Sequence, residues 1–201
     1  GVVEAKWRTV GAAAGLAAVT GGLGYLGQTQ QVDIEPMHGF PNVVNWGHVG
    51  EYLAEYHSGQ TVATTIIGHI SYESNLPILD LVGLTDKHIA KNGKQVPLDK
   101  LVVGHQKYDV EYVLERKPDV IVLDAGRPRP WKRGERVEFG MQVERFMVDE
   151  ILERGGEYVP FTPRIREDLY WFMFVRRSTL EEMVRNGVVP PDPRVMQPAN
   201  Q

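Results

Sequence analysis

The sequence predicts an α/β domain, a small three-layer, mostly parallel sheet with helices on both faces, preceded by one transmembrane helix. Two β-branched or aliphatic runs, at residues 61–67 and 119–123, are typical of buried strands. Segments with helical periodicity separate the strands, which favours parallel pairing with helices covering both faces. A long uncharged run near the start of the chain provides the membrane segment.

Composition limits the classes of function. Hydrophobic residues make up 42% of the 201 residues, which is enough for a packed core. The net charge of −4 argues against a nucleic-acid binder with a basic footprint. The chain contains no cysteine, which excludes zinc-finger, iron–sulfur and thiol chemistry.

The predicted membrane helix covers residues 9–32. No charged residue occurs between Arg8 and Asp33, so 24 residues are free of charge, whereas about 20 suffice to span a bilayer. Trp7 and Tyr25 are 18 positions apart, roughly 27 Å along a helix, which suits one aromatic at each interface.

Basic residues occur only on the N-terminal side of this run, at Lys6 and Arg8. The positive-inside rule then places the N-terminus in the cytoplasm and the rest of the chain in the periplasm of a bacterial inner membrane. Three alternatives remain for the same run: a cleaved signal peptide, a buried Ala/Gly helix of a soluble protein, and a flexible Gly-rich arm.

Small residues recur at four-residue spacing within the run, at Gly11, Gly15, Ala18 and Gly22. Such a face lets helix backbones approach closely in lipid, so the spacing favours packing on integral membrane subunits. The alternative is that glycine is simply tolerated in a membrane helix.

The resulting organisation is a short cytoplasmic N-terminus, a transmembrane helix, a periplasmic α/β domain and a Pro-rich extended tail: residues 1–8, 9–32, 33–187 and 188–201.

Helices and strands alternate along the domain. The apolar spacing, caps and breakers predict five helices, at residues 46–57, 85–91, 108–116, 135–154 and 178–185. Short apolar or β-branched runs predict five strands, at residues 61–67, 77–82, 119–123, 158–161 and 169–175. Residues 68–75 and 91–103 are predicted loops. Ser178 and Glu181 have the spacing of a capping box at the start of the last helix.

Catalytic motifs are sparse. The sequence has no P-loop, dinucleotide fingerprint, nucleophile elbow or H-E-x-x-H motif. His69, Asp80, Asp86 and His105 follow predicted strands or precede predicted helices, where α/β proteins often place their sites. A metal or catalytic cluster there competes with simple loop capping. We therefore predict no catalytic residue, no cofactor and no metal site.

A basic loop follows the 119–123 strand. Residues 126–134 read GRPRPWKRG and place four positive charges around an aromatic side chain: Arg127, Arg129, Trp131, Lys132 and Arg133. Such a loop is suited to lipid headgroups or an acidic partner surface. The alternative is an ordinary solvated loop.

Two blocks carry a resemblance to a known family. Residues 61–91 read TVATTIIGHISYESNLPILDLVGLTDKHIAK, and the pattern residues are Gly68, Ile70, Tyr72, Ser74, Leu79, Asp80, Gly83, Leu84, Asp86, Ile89 and Ala90. The second block begins with residues 104–109, GHQKYD, and ends in KPD at 117–119. Together they resemble the C-terminal extracytoplasmic domain of bacterial GT-C-type membrane glycosyltransferases, the arabinofuranosyl- and mannosyltransferase-like group. Leu79 stands where those proteins have Ile.

The resemblance implies that a last transmembrane helix runs directly into the soluble domain. The many-spanning region that carries catalysis in that family has no counterpart in this sequence, so no catalytic residue carries over. Asp80, Gly83, Leu84 and Asp86 carry over only as the shared loop, of unclear role.

Three functions follow from these observations. The first is a non-catalytic, single-pass periplasmic subunit that docks on a larger membrane complex, with the respiratory and photosynthetic antenna–reaction-centre types as guesses. The second is the tail domain of a split or truncated glycosyltransferase, binding glycan or lipid-linked sugar. The third is a periplasmic enzyme that uses the loops near Asp80 and His105.

Overall fold

The structure, a computed structural model, describes residues 41–96, 105–154 and 156–188. The helices, numbered α1 to α6 in chain order, are Pro41–Tyr56, Ile67–Ser74, Lys87–Asn92, Val110–Glu115, Gln142–Arg154 and Arg177–Arg185. The strands, numbered β1 to β8, are Val62–Thr64, Ile78–Asp80, Lys94–Gln95, Lys107–Tyr108, Val120–Arg127, Tyr158–Phe161, Arg164–Arg166 and Leu169–Arg176.

The main sheet is mixed, with the strand order β2-β1-β5-β8-β6. Strands β2, β1 and β5 pair in parallel. Strand β8 is antiparallel to β5 on one side and to β6 and β7 on the other. The prediction of an α/β class is therefore confirmed, and the parallel arrangement applies to one half of the sheet. Strands β3 and β4 form a separate antiparallel pair.

Hydrophobic cores lie on both faces of the sheet, because side chains alternate along its strands. In β5, Val120 and Val122 belong to one core and Ile121 and Leu123 to the other. Buried residues of α1, α2 and α6 complete the first core: Val49, Leu53, Ile70 and Leu180. Buried residues of α3, α4 and α5 complete the second: Ile89, Val110, Val113, Val143 and Met147.

The predicted loop at 68–75 is wrong, because these residues form helix α2. Glycine and serine in this stretch suggested a turn, yet Ile70 is fully buried in the core beside α1. The turn chemistry is confined to the C-terminus of the helix. Asn75 caps it in the left-handed conformation, with φ of 51°, and its N–H bonds to the Ser71 carbonyl.

The starts of the predicted helices also differ from the structure, and α1, predicted from residue 46, already begins at Pro41. The helix predicted over 135–154 begins only at Gln142. Ser178 and Glu181 form no capping box, since α6 begins at Arg177 and its N-cap residue is Arg176, whose side chain makes no capping bond within the described part of the chain. Arg176 and Thr179 both bind Asp119 instead, which joins the start of α6 to the start of β5.

The predicted membrane helix at residues 9–32 and the tail beyond residue 188 lie outside the described residues. Among the helices that the structure describes, none is both long and apolar enough to cross a membrane.

Candidate functional site

The order of the strands defines a switch point in the sheet. The chain passes from β1 to β2 on one side and then to β5 on the other side of β1. In α/β proteins, ligands bind outside the carboxyl ends of strands at such a point. Three buried carboxylates gather near these strand ends, those of Asp80, Asp124 and Glu144.

Glu144, in the first turn of α5, is the most deeply buried of the three acids, with no exposed surface. Its Oε1 accepts hydrogen bonds from the Thr65 hydroxyl at 2.5 Å and the Asp124 N–H at 2.7 Å. Its Oε2 accepts from the Met141 N–H at 3.1 Å, the returning half of a capping box. Burial raises the pKa of Glu144 to about 7, although these hydrogen bonds favour the charged form.

Asp124, in β5, is enclosed by groups from two other segments. Its Oδ1 accepts a hydrogen bond from the Trp46 indole N–H of α1 at 3.0 Å. Its backbone carbonyl accepts from the Gly140 N–H at 2.7 Å. A Cβ at position 140 would overlap the Asp124 carboxylate, so only glycine fits there.

Asp80 organises the turn that follows β2. Its carboxylate accepts hydrogen bonds from the N–H groups of Val82 at 2.8 Å, Gly83 at 3.0 Å and Thr85, and from the Thr85 hydroxyl at 3.2 Å. Gly83 has φ of +79°, and a Cβ there would lie 2.7 Å from the Ala90 nitrogen. The Asp80 and Gly83 positions of the motif therefore build a tight turn against α3.

Helices α3 and α4 are linked through their N-cap residues. Asp86 caps α3 by accepting from the Ile89 N–H at 3.0 Å, which is the loop capping that the sequence offered as one alternative. It also accepts from the Tyr112 hydroxyl of α4 at 3.0 Å. Asp109 caps α4 and accepts from the His88 Nε2–H of α3 at 3.0 Å. Each N-cap carboxylate therefore also binds a side chain from the first turn of the other helix.

The remaining motif residues are placed separately. Gly68 lies in α2 with open space around its Cα, and Tyr72 of the same helix is 83% exposed. The buried Ser74 hydroxyl accepts from the Leu76 N–H at 3.4 Å. Leu84 is 51% exposed on the Asp80 turn. His105 is half-buried in the segment before β4.

Of the positions that suggested a cluster, Asp80 and Asp86 lie together, whereas His69 lies on α2. Asp86 donates its N–H to the Asp80 carboxylate at 3.3 Å. His69 instead packs edge-on against Trp46, with ring centroids 6.5 Å apart, and faces Glu73 at 4.0 Å. No group of three or more metal-ligating side chains occurs among the described residues.

The basic loop after β5 is closed by one carboxylate. Glu135 binds Arg127 at 3.0 Å and Arg129 at 2.7 Å, and these arginines lower its pKa. Its backbone carbonyl accepts from the Trp131 indole N–H at 2.9 Å, and the Trp131 ring packs edge-on against Phe172. Lys132 and Arg133 are exposed. The loop is therefore a folded feature anchored by Trp131.

Sequence reasoning missed four groups that define this end of the sheet: Thr65, Trp46, Glu144 and Tyr112. Glu144 carried a usable signal, because a glutamate three residues into a helix typically caps its own N-terminus. The contacts of Trp46 and Tyr112 span 78 and 26 residues in sequence, and local patterns carry no information about them. The residues predicted to form a membrane-helix packing face, Gly11, Gly15, Ala18 and Gly22, and the predicted interface aromatics Trp7 and Tyr25 lie outside the described residues.

The protein is therefore an α/β domain in which the acidic side chains at the switch point form hydrogen bonds with other groups of the same domain. The chain matches the family profile of a domain of unknown function, DUF8728, over residues 30–161, and it belongs to that family. The matched range contains Asp80, Asp86, Asp109 and Glu144. Comparison with curated proteins and with solved structures gave no match.

Proposed function

We propose that the chain is a non-catalytic, single-pass periplasmic subunit of a larger membrane protein complex. Residues 9–32 form the membrane helix, with the N-terminus in the cytoplasm of a bacterium and the α/β domain in the periplasm. The helix packs on integral membrane subunits through Gly11, Gly15, Ala18 and Gly22. Respiratory and photosynthetic antenna–reaction-centre complexes are the first classes to test.

The observation that supports this proposal is the state of the buried acids at the switch point. The carboxylates of Asp80 and Glu144 accept hydrogen bonds from the domain's own backbone, and Glu144 accepts another from the Thr65 hydroxyl. The Asp124 carboxylate accepts from the Trp46 indole N–H. Groups that are satisfied internally hold loops in place. This arrangement suits a rigid docking module whose function lies on its surface.

The direct experiment is purification of the tagged full chain from its native membranes in mild detergent. We expect a complex of fixed stoichiometry with several integral membrane proteins, identified by native electrophoresis and mass spectrometry. Recovery of the chain alone at all detergent concentrations that preserve known complexes would contradict the proposal.

Topology gives a second test of the same proposal. Protease added outside spheroplasts should digest the α/β domain and spare the first residues of the chain. Protection of the whole chain in intact spheroplasts, with digestion after lysis, would place the domain in the cytoplasm and refute the proposed orientation.

A second candidate is the tail domain of a split glycosyltransferase that binds glycan or lipid-linked sugar. The reciprocal bonds of Asp86 and Asp109 favour it, because they join the two blocks on which the glycosyltransferase resemblance rests. In that case a polytopic glycosyltransferase should co-purify with the chain. Binding of a lipid-linked sugar by the purified pair, measured by calorimetry, would separate this function from the first.

A further inference from the structure

The start of helix α1 lies at the carboxyl edge of the parallel strands. Trp46, near its start, binds Asp124 in the second half of β5. Gly47 lies against His69 and Gly50 against Glu73, so α1 runs beside α2 in the same direction. Helix α2 begins directly after β1. Helix α1 therefore begins at the end of the domain where β1, β2 and β5 finish.

The basic loop emerges at the same end. Residues 126–136 overlap and follow the carboxyl end of β5 and contain five basic residues and one acid, in a chain with a net charge of −4. Strand pairing places further arginines beside them, since Arg127 and Arg164 are both register partners of Tyr170. Arg166 follows in the same strand as Arg164. Surface acids next to these basic residues in sequence are Glu135, which is paired with two arginines, and Glu138, Glu167 and Asp168. Asp86, on the turn after β2, is half-buried and bonded to Tyr112.

Two exposed aliphatic side chains lie at the same end of the domain. Val44, in the first turn of α1, is 65% exposed, and Leu84, on the turn after β2, is 51% exposed. Apolar side chains next to basic ones are typical of surfaces that rest at the headgroup level of a bilayer.

The length of chain before α1 limits how far the domain can lie from the bilayer in the proposed topology. In the proposed topology, eight residues, 33–40, connect the membrane helix to Pro41, and they can extend over at most about 27 Å. We propose that the carboxyl edge of the domain rests on the periplasmic surface of the bilayer and that its basic loop binds anionic lipid headgroups. This inference depends on the proposed membrane anchor.

The test uses the full chain in proteoliposomes, where single cysteines report access to the surface. The chain has no native cysteine, so Pro128→Cys in the loop and Glu115→Cys at the opposite edge give specific probes. Their labelling rates with a membrane-impermeant maleimide are compared in phosphatidylcholine vesicles with and without phosphatidylglycerol. Carbonate extraction of the same vesicles shows whether the chain is inserted.

We expect phosphatidylglycerol to slow labelling at position 128 by about five-fold or more and to leave position 115 unchanged, because each basic residue near an anionic surface contributes a factor of about five. High salt should restore the rate. Lys132→Glu with Arg136→Glu in the loop should abolish the slowing. The matched pair Arg116→Glu with Lys117→Glu, at the opposite edge, should retain it.

The outcomes separate this inference from the proposed anchor. Release of the chain by carbonate would refute the membrane helix and, with it, this inference. An inserted chain whose position 128 reacts equally fast in both vesicles would overturn the lipid contact alone. Protection that occurs only in native membranes, and not with phosphatidylglycerol, would assign the loop to a protein partner and also overturn the lipid contact.

Discussion

The rings of His88 and Tyr112 stack face to face, with centroids 4.0 Å apart and planes inclined by 11°. Each ring also binds the carboxylate that caps the other helix, Asp109 for His88 and Asp86 for Tyr112. The two sequence blocks that signal the family resemblance are therefore joined by this pair. The arrangement gives the residue spacing in each block a structural role in holding α3 against α4.

The pair predicts energetic coupling between the two helices. Tyr112→Phe keeps the stacked ring and removes the hydroxyl, so it should lower the free energy of unfolding by about 1 kcal/mol. His88→Ala should cost a similar amount. A double-mutant cycle of His88→Ala with Tyr112→Ala, which removes both rings, should show coupling of about 0.5–1.5 kcal/mol for the aromatic contact when measured by urea denaturation. Strictly additive effects would mean that the rings merely adjoin.

The Asp86 carboxylate provides the second prediction. Asp86→Ala removes the cap of α3 and the acceptor of Tyr112, so stability should fall by about 1 kcal/mol or somewhat more. Asp86→Asn is the matched control, because asparagine retains a capping oxygen. An unchanged melting curve for Asp86→Ala, together with loss of binding to a purified partner, would show that this carboxylate serves a binding site.

Glu144 predicts a pH dependence of stability with a definite sign. Its pKa in the folded protein is about 7, above the usual value of 4.5, so between these values the folded state binds more protons than the unfolded state. Its contribution is therefore fully present below about pH 4.5 and is lost as the pH rises through 7. The loss is on the order of 3 kcal/mol.

The measurement is the difference in unfolding free energy between wild type and Glu144→Gln across this pH range. The glutamine variant cannot titrate, so the difference should change with pH, whereas a structural effect alone would shift it by a constant.

Thr65→Val, which removes one donor to Glu144, should destabilise the domain by about 1–3 kcal/mol, and Thr65→Ser should retain most of the bond.

Two glycines give opposite predictions for the same substitution. Gly140→Ala would force a Cβ into the Asp124 carboxylate and should destabilise the domain by about 1–3 kcal/mol through overpacking. Gly68→Ala meets open space inside helix α2 and should stabilise it by up to about 1 kcal/mol. Thermal melts should show a lower melting temperature than wild type for Gly140→Ala and an equal or higher one for Gly68→Ala. A lower melting temperature for Gly68→Ala would contradict the open space seen around position 68 and would indicate that another group packs against this glycine.

The proposed packing face of the membrane helix predicts a specific loss of assembly. Gly11→Leu with Gly15→Leu should push a partner helix away and weaken co-purification, while the α/β domain stays folded. Ala13→Leu with Ala17→Leu adds similar hydrophobicity about half a turn away on the same predicted helix, and it should preserve assembly. Deletion of residues 188–201 should have a smaller, additive effect. Equal recovery of partners with both leucine pairs would show that the helix only anchors the chain and does not bind a partner through Gly11 and Gly15.

The sequence by itself determined the α/β class and the elements with strong local signals. The run at 119–123 is buried on both faces of β5, and Asp86 caps α3 because a capping carboxylate needs only a donor three residues away. Tertiary structure decided the rest. Helix α2 forms because Ile70 is buried beside α1, and β8 runs antiparallel because long-range pairing, not local pattern, sets strand direction. The burial of Glu144 and the stacking of His88 on Tyr112 arise from contacts between segments far apart in sequence, whose energies no local spacing encodes.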